Sequence, residues 1–213
     1  KSYRKFLPYG YQKIRKNVLA PGTFSLERHR LFWIYLKNET DFFSATKKKV
    51  LHFAPEQAFY NQFKKIKKLN YTTTDLFSPL ADVKADICNL PFKDNEFDYI
   101  FCNHVLEHIP DDNKAMSELF RVLAPNGIGI FQIPQDLSRE FTFEDDSVTD
   151  PKERAKIFGQ YDHVRVYGRY YFDKLREIGF NVTAIDYTKK LTKKEIDKYR
   201  LAQVELIPVC RKF

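Results

Sequence analysis

The chain has 213 residues, 43% hydrophobic and 30% charged, with 20 Phe, 13 Tyr and a net charge of +8. That is enough for one well-buried α/β domain with some decoration, and the balance excludes disordered, collagenous and disulfide-stapled classes. No apolar run reaches the roughly 18 residues of a membrane span and no signal peptide is visible, so a cytoplasmic location is expected; the oligomeric state is not legible.

The charge is unevenly spread. Residues 1–70 carry 16 Lys/Arg against 4 Asp/Glu, residues 71–150 carry 5 against 16, and residues 151–213 carry 15 against 8. A basic N-terminal stretch can serve a nucleic-acid partner. That reading is not favoured, because Lys47-Lys48-Lys49 and Lys64-Lys65-Ile66-Lys67-Lys68 flank core elements without stacked aromatics. Cys88, Cys102 and Cys210 are odd in number and too widely spaced for a zinc motif, so buried thiols are expected.

In chain order, residues 1–24 contain Gly10, Pro21 and Gly22 without periodicity and read as an irregular arm. Ser25 is a suitable N-cap for an apolar helix running to about Asn38, with Arg28, His29 and Arg30 on its solvent face or, less favoured, facing a ligand. Val50–Phe53 reads as a short strand entering the loop Ala54-Pro55-Glu56-Gln57. Helical spacing follows through Phe59, Phe63 and Ile66 to about Lys68. Tyr71–Thr74 is β-branched and aromatic, hence a strand, and it ends at Asp75. Leu90-Pro91-Phe92 and Lys93–Glu96 form a turn before the apolar run Phe97–Cys102, a strand buried on both faces. A helix is expected over Asn113–Leu123, a turn at Pro125-Asn126-Gly127, and a strand over Ile128–Ile133. Pro134–Gly168 is long, charged and poorly periodic, a functional or mobile loop. Tyr170–Ile178 is a helix closed by Gly179, and Asn181–Tyr187 and Val204–Arg211 are the final strands.

Three segments in order, D-I-x-x-L-P-F from Asp86, F-D-Y-I-F-C-N-H-V-L-E-H-I from Phe97 and R-V-L-A-P-N-G from Arg121, resemble class I S-adenosylmethionine (SAM)-dependent methyltransferases of the type 11 family. The loop H-F-A-P-E at His52 and the segment D-H-V-R-V-Y-G at Asp162 resemble a bacterial subgroup of it. Relatives there often carry C-P-x-C before the first helix. Here those places read Ala20-Pro21-Gly22-Thr23, and no metal is expected. The resemblance implies a Rossmann-like α/β fold with a seven-stranded, mostly parallel sheet and helices on both faces. It also implies SAM as cofactor, a basic arm and helix over residues 1–46, and a methyltransferase domain over 47–213.

By that resemblance Asp75, with Leu76 beside it, holds the ribose hydroxyls, and Asp86 receives the adenine amino group with Ile87 on the ring. Asp75 lies 23 residues after His52, close to the roughly 20 usual for an acidic ribose partner. Asn103 and His104 border the methionine moiety. The first loop departs from the family's D-x-G-x-G: it reads His52-Phe53-Ala54-Pro55-Glu56 without glycine. There Ala54 permits close approach, Pro55 stiffens the turn and Glu56 takes the cofactor's ammonium. His104 and His163 are the candidate catalytic bases. Tyr161, His163 and Arg165 are expected to face the acceptor under a lid formed by residues 134–168. The expected activity is methyl transfer to a small molecule or cell-envelope precursor. Alternatives are RNA methylation using the basic arm, or SAM binding without turnover; Asp75 and Asp86 also have a plain reading as turn-forming residues.

Overall fold

The strand Lys49–Phe53, paired in parallel on both sides, sets the architecture of the chain. The computed structural model describes residues 5–10, 14–201 and 206–213. The strands are β1 (Leu7–Tyr9), β2 (Arg15–Leu19), β3 (Lys49–Phe53), β4 (Asn70–Asp75), β5 (Val83–Lys84), β6 (Phe97–Phe101), β7 (Leu123–Ile130), β8 (Phe143–Glu144), β9 (Arg165–Val166), β10 (Asn181–Asp186) and β11 (Leu206–Arg211). The α-helices are α1 (Glu27–Glu39), α2 (Gln57–Phe63), α3 (Asp112–Val122), α4 (Pro151–Ile157), α5 (Tyr171–Ile178) and α6 (Lys193–Tyr199). Contacts divide the chain into two units interleaved in sequence: 1–48, 56–69 and 185–207 in the smaller, and 49–55, 70–184 and 208–213 in the larger.

The larger unit holds the body of a seven-stranded sheet of order β10-β11-β7-β6-β3-β4-β5. Val50 stands opposite Tyr71 on β4 and Tyr99 on β6, and β4–β5 and β6–β7 are also parallel. β11 runs antiparallel to β7, so the mostly parallel α/β sheet expected from the sequence is present. Its central strands β3 and β6 are buried on both faces, as parallel strands require. Leu51, Ile100 and Cys102 join one core with Ala115, Met116, Leu119 and Val122 of α3 and Leu175 of α5. Val50, His52, Tyr99 and Phe101 alternate with these and are equally buried. The α3 positions recur at helical spacing, giving a single apolar stripe.

Several boundaries differ from the sequence reading. The turn at 125–127 is absorbed into β7 as an irregularity: Phe97 pairs with Leu123 but Tyr99 with Ile128, and Asn126 takes φ +62°. The 134–168 stretch is structured, containing α4 and the antiparallel pair β8–β9. Gly168 closes it against the backbone of Glu140 and Phe141, where a Cβ would lie 2.4 Å from the Phe141 carbonyl oxygen. Gly179 caps α5 at φ +119°, as expected. For the last strand, Val204 and Glu205 lie outside the described residues.

In the smaller unit the described part of the arm is not irregular: β1 and β2 pair antiparallel, while residues 1–4 and 11–13 lie outside the described residues. α1 begins one residue later than expected, with Leu26 rather than Ser25 at the N-cap. The Leu26 N–H is met by His29 Nδ1 at 3.0 Å, so His29 is a buried capping group and not part of a solvent face. Arg30 likewise turns inward, donating to the carbonyls of Val18, Tyr199 and Arg200. Trp33, Phe42, Phe43, Phe59 and Phe63 form a continuous aromatic cluster. α6 was not anticipated, although Thr192 and Glu195 form its capping box.

One α3 ion pair fastens the turn before β6. Arg121 makes paired bonds of 2.7 Å to Glu118 and donates to Asp94 and the carbonyls of Leu90 and Phe92. The Glu118 carboxylate also accepts from Leu90 N–H at 2.8 Å. Arg121 beside it holds Glu118 below the usual glutamate range, against the opposing effect of burial. A depressed folded value means that the stabilisation is complete above the unfolded value and fades as pH falls through the folded one. Glu118→Gln should therefore be less stable than wild type at pH 7 in urea unfolding, with the gap narrowing as pH falls below about 4.3.

Candidate functional site

The carboxyl edge of the sheet is where open α/β folds bind ligands, and the larger unit has a cavity of about 660 Å³ there. Register explains its lining. β3 and β4 end level with each other, Phe53 opposite Thr74, which puts Phe53, Ala54, Asp75 and Leu76 on one wall. Asp86 and Ile87, after β5, and His104, after β6, complete the lining residues anticipated from sequence.

Two turns at this edge are made by non-glycine residues in the left-handed region: Ala54 at φ +42° and His104 at φ +55°. The Ala54 N–H bonds to the Thr74 carbonyl at 2.9 Å and the His104 N–H to that of Gln132 at 2.7 Å. Asp75 Oδ1 accepts from the N–H groups of Phe77 and Ser78, both at 2.7 Å. Asp86 Oδ1 accepts from Cys88 N–H at 2.8 Å. Both aspartates thus make local turns while facing the cavity. His104 Nε2 is buried and has no hydrogen-bond partner.

The other residues singled out in the sequence lie elsewhere. His52 is fully buried, with Nδ1 2.7 Å from the Tyr71 hydroxyl. Asn103 is buried and its Oδ1 accepts from Gln132 N–H at 3.2 Å. Glu56 belongs to the smaller unit, where its carboxylate is 2.7 Å from His29 Nε2 and 3.6 Å from Arg28. With His29 Nδ1 accepting from Leu26, the proton sits on Nε2 and is donated to Glu56. That unit has its own cavity of about 380 Å³, lined by His29, Trp33, Phe59 and Tyr199 among others.

His163 is 7% exposed and does not line the larger cavity. Its Nδ1 is 3.1 Å from the Phe158 carbonyl, and its ring meets that of His108 edge-on at 4.7 Å. Burial pulls its imidazole below the ordinary value, against the opposing charge of Glu107. Arg165 is buried too. It donates to the carbonyls of Leu106, Ile109 and Pro110 and to Glu144, and lies 3.5 Å from Asp112. Tyr161 is half exposed and does not line the cavity.

Phe77, Asp111 and Asp162 were not assigned to the site from sequence, and Cys88, expected as a buried thiol, is only half-buried; these four and His108 all line the cavity. The only signal for Phe77 was its place beside Asp75; it is 83% exposed, a large apolar ring left uncovered at the rim. Cys88 is pushed up to about 11 by burial, with Asp86 and Asp111 adding to the effect.

This edge, with its acidic turns after β4 and β5, is the ligand-binding edge of open α/β sheets, and comparison with known proteins narrows the class. Residues 45–131 match the family model described as a methyltransferase domain; the match includes the H-F-A-P-E loop and ends before Asp162. A SAM-dependent methyltransferase from Mesorhizobium loti superposes with a TM-score of 0.57 at 14% identity, over 85% of this chain and 98% of that one. Phosphoethanolamine N-methyltransferase 2 from Haemonchus contortus, in complex with SAM, gives 0.52 at 18% identity, over 81% and 41%. Demethylmenaquinone methyltransferase from Staphylococcus carnosus is 40% identical over 63 residues, 30% of this chain and 26% of that protein. The match thus spans about a quarter of that curated relative's length. The fold is the Rossmann-like one of class I methyltransferases. No helix among the described residues is long and apolar enough to cross a membrane.

Arg165 carries the geometry next to the cavity. Replacing it by Lys leaves a point charge where a planar fork met three carbonyls and a carboxylate. Arg165→Lys should cost about 3 kcal/mol, seen as a fall of roughly 6–12 °C in thermal midpoint.

Proposed function

We propose that the larger unit is a SAM-dependent methyltransferase acting on a small-molecule or cell-envelope-precursor acceptor. The observation that carries this reading is one cavity that gathers Ala54, Asp75, Asp86 and His104 at the sheet's carboxyl edge, largely inside the segment that matches the methyltransferase domain. The residues fit the group. Its volume lies within the range of cofactor sites. Asp75 has one oxygen committed to its turn and the other for ribose hydroxyls, and Asp86 is placed for an adenine amino group with Ile87 against the ring. Ala54, without a long side chain, lets the backbone approach the ligand. Phe53 and Leu76 supply apolar wall. His52 and Asn103 act at one remove, through the Tyr71 hydroxyl and the Gln132 N–H.

SAM supplies an electrophilic methyl on a cationic sulfur; transfer forms the acceptor–carbon bond, breaks the sulfur–carbon bond and leaves a neutral thioether. The chain positions and desolvates the reactants. Where the acceptor carries a proton, His104 is the residue we assign to it, because its ring borders the cavity and is partly exposed. His163 lies against His108 and does not itself line the cavity. The Staphylococcus relative is named for methylation of demethylmenaquinone, which supports a small-molecule acceptor here.

Calorimetry with SAM and its demethylated product tests the cofactor site. Asp75→Ala should lose roughly ten- to a hundredfold in affinity, as expected for charge-assisted bonds of about 1.5–3 kcal/mol. Unchanged affinity in a folded variant would place the cofactor elsewhere. Incubation with labelled SAM and fractionated host extract should transfer label; tight SAM binding without transfer would instead support a binding protein.

A further inference from the structure

Glu107 is 1% exposed, and neither of its carboxylate oxygens accepts a hydrogen bond. His104 Nδ1 is 3.5 Å from Oε1 without hydrogen-bond geometry. A buried carboxylate is ordinarily satisfied by donors or cations, because its desolvation is otherwise uncompensated. Around Glu107 the residues are arranged as donors of lone pairs instead. Glu107, His108 and His163 each offer a ligand atom, and the three atoms lie within 4.8 Å of one another.

We infer that Glu107, His108 and His163 form a binding site for a first-row divalent cation, zinc being the best fit. The orientation of each imidazole supports this. The Phe158 carbonyl can only accept, so His163 carries its proton on Nδ1 and keeps the Nε2 lone pair for a metal. His108 Nδ1 faces the Asp162 carboxylate at 3.2 Å, and Gln160 Nε2 donates to that carboxylate's other oxygen at 2.9 Å. Both histidines thus have the outer hydrogen-bond or ion-pair partner that orients a metal-bound imidazole.

Two nitrogens and one carboxylate oxygen suit zinc, iron, cobalt or nickel, and not magnesium or calcium. Ligand atoms around a tetrahedral zinc stand roughly 3.4 Å apart, so the cluster closes by small rotations of its side chains. Three protein ligands leave a coordination position, and His108 borders the larger cavity. That is the composition of an open rather than a closed zinc site. The site does not depend on the methyl-transfer reading, because its ligands are complete without SAM.

The test is calorimetry of the chelator-stripped full chain with zinc chloride alone, backed by the visible absorption of the cobalt-loaded protein. One equivalent should bind with micromolar or tighter affinity. Glu107→Gln should weaken it at least a hundredfold, while the metal-free variant melts no lower than wild type, since a buried charge has been removed. His163→Ala should abolish the cobalt spectrum. Absence of stoichiometric zinc binding would overturn the site, as would wild-type affinity in Glu107→Gln.

Discussion

The guanidinium of Arg165 is the contact on which the geometry beside the cavity depends. Where β6 ends, the chain makes a tight 3-10 turn through Leu106–His108, and turns of this kind leave carbonyls facing inward. Arg165, 55 or more residues away in sequence, satisfies three of them in the turn and just after it. Asp112, at the start of α3, neutralises the buried charge. It also accepts from the Tyr167 hydroxyl and from Lys174 at 2.6 Å each. The Val164 N–H to Glu107 carbonyl bond, 3.0 Å, then places His163 opposite Glu107 and His108. Few side chains other than arginine offer enough donors in a plane for this task.

A second constraint lies at the strand ends. Left-handed backbone at alanine and histidine costs on the order of 1–3 kcal/mol each. Ala54 and His104 both accept it at adjoining ends of β3 and β6, locked by backbone bonds to Thr74 of β4 and to Gln132 just past β7. The surrounding sheet therefore holds strain where a glycine would have relieved it. This accounts for a glycine-free first loop that still turns sharply: the turn is taken by Ala54 itself, and Pro55 follows it.

How much of this could be read in advance varied with physical cause. β3, β4 and β6 were legible because parallel strands buried on both faces leave nearly continuous apolar or β-branched runs. α3 and α5 were legible from apolar spacing and from Gly179. β1 and β2 were not, because they are almost wholly exposed and carry no alternation. α6 left a trace in Thr192 and Glu195 that periodicity alone does not detect. In the site, Asp75, Asp86 and His104 could be placed because strand ends in such a sheet share one edge. The convergence of His163 on Glu107 and His108 could not, since it depends on Arg165 reaching across to the turn. The inward His29 and Arg30 were hidden for the same reason: charge on a helix says nothing of the carbonyls it will meet.

Cys88 has a chemical consequence of its own. A thiolate is the strongest carbon nucleophile a protein can place beside an electrophilic ligand, and one in this cavity would compete with any acceptor. At a value of about 11, only about one Cys88 in ten thousand is ionised at neutral pH. Burial raises it most and Asp86 and Asp111 add to this, so acidic groups that line the cavity help to keep its sulfur silent. Replacing either aspartate by a neutral residue would therefore do more than loosen a turn: it would begin to arm the wall of the cavity against its own contents.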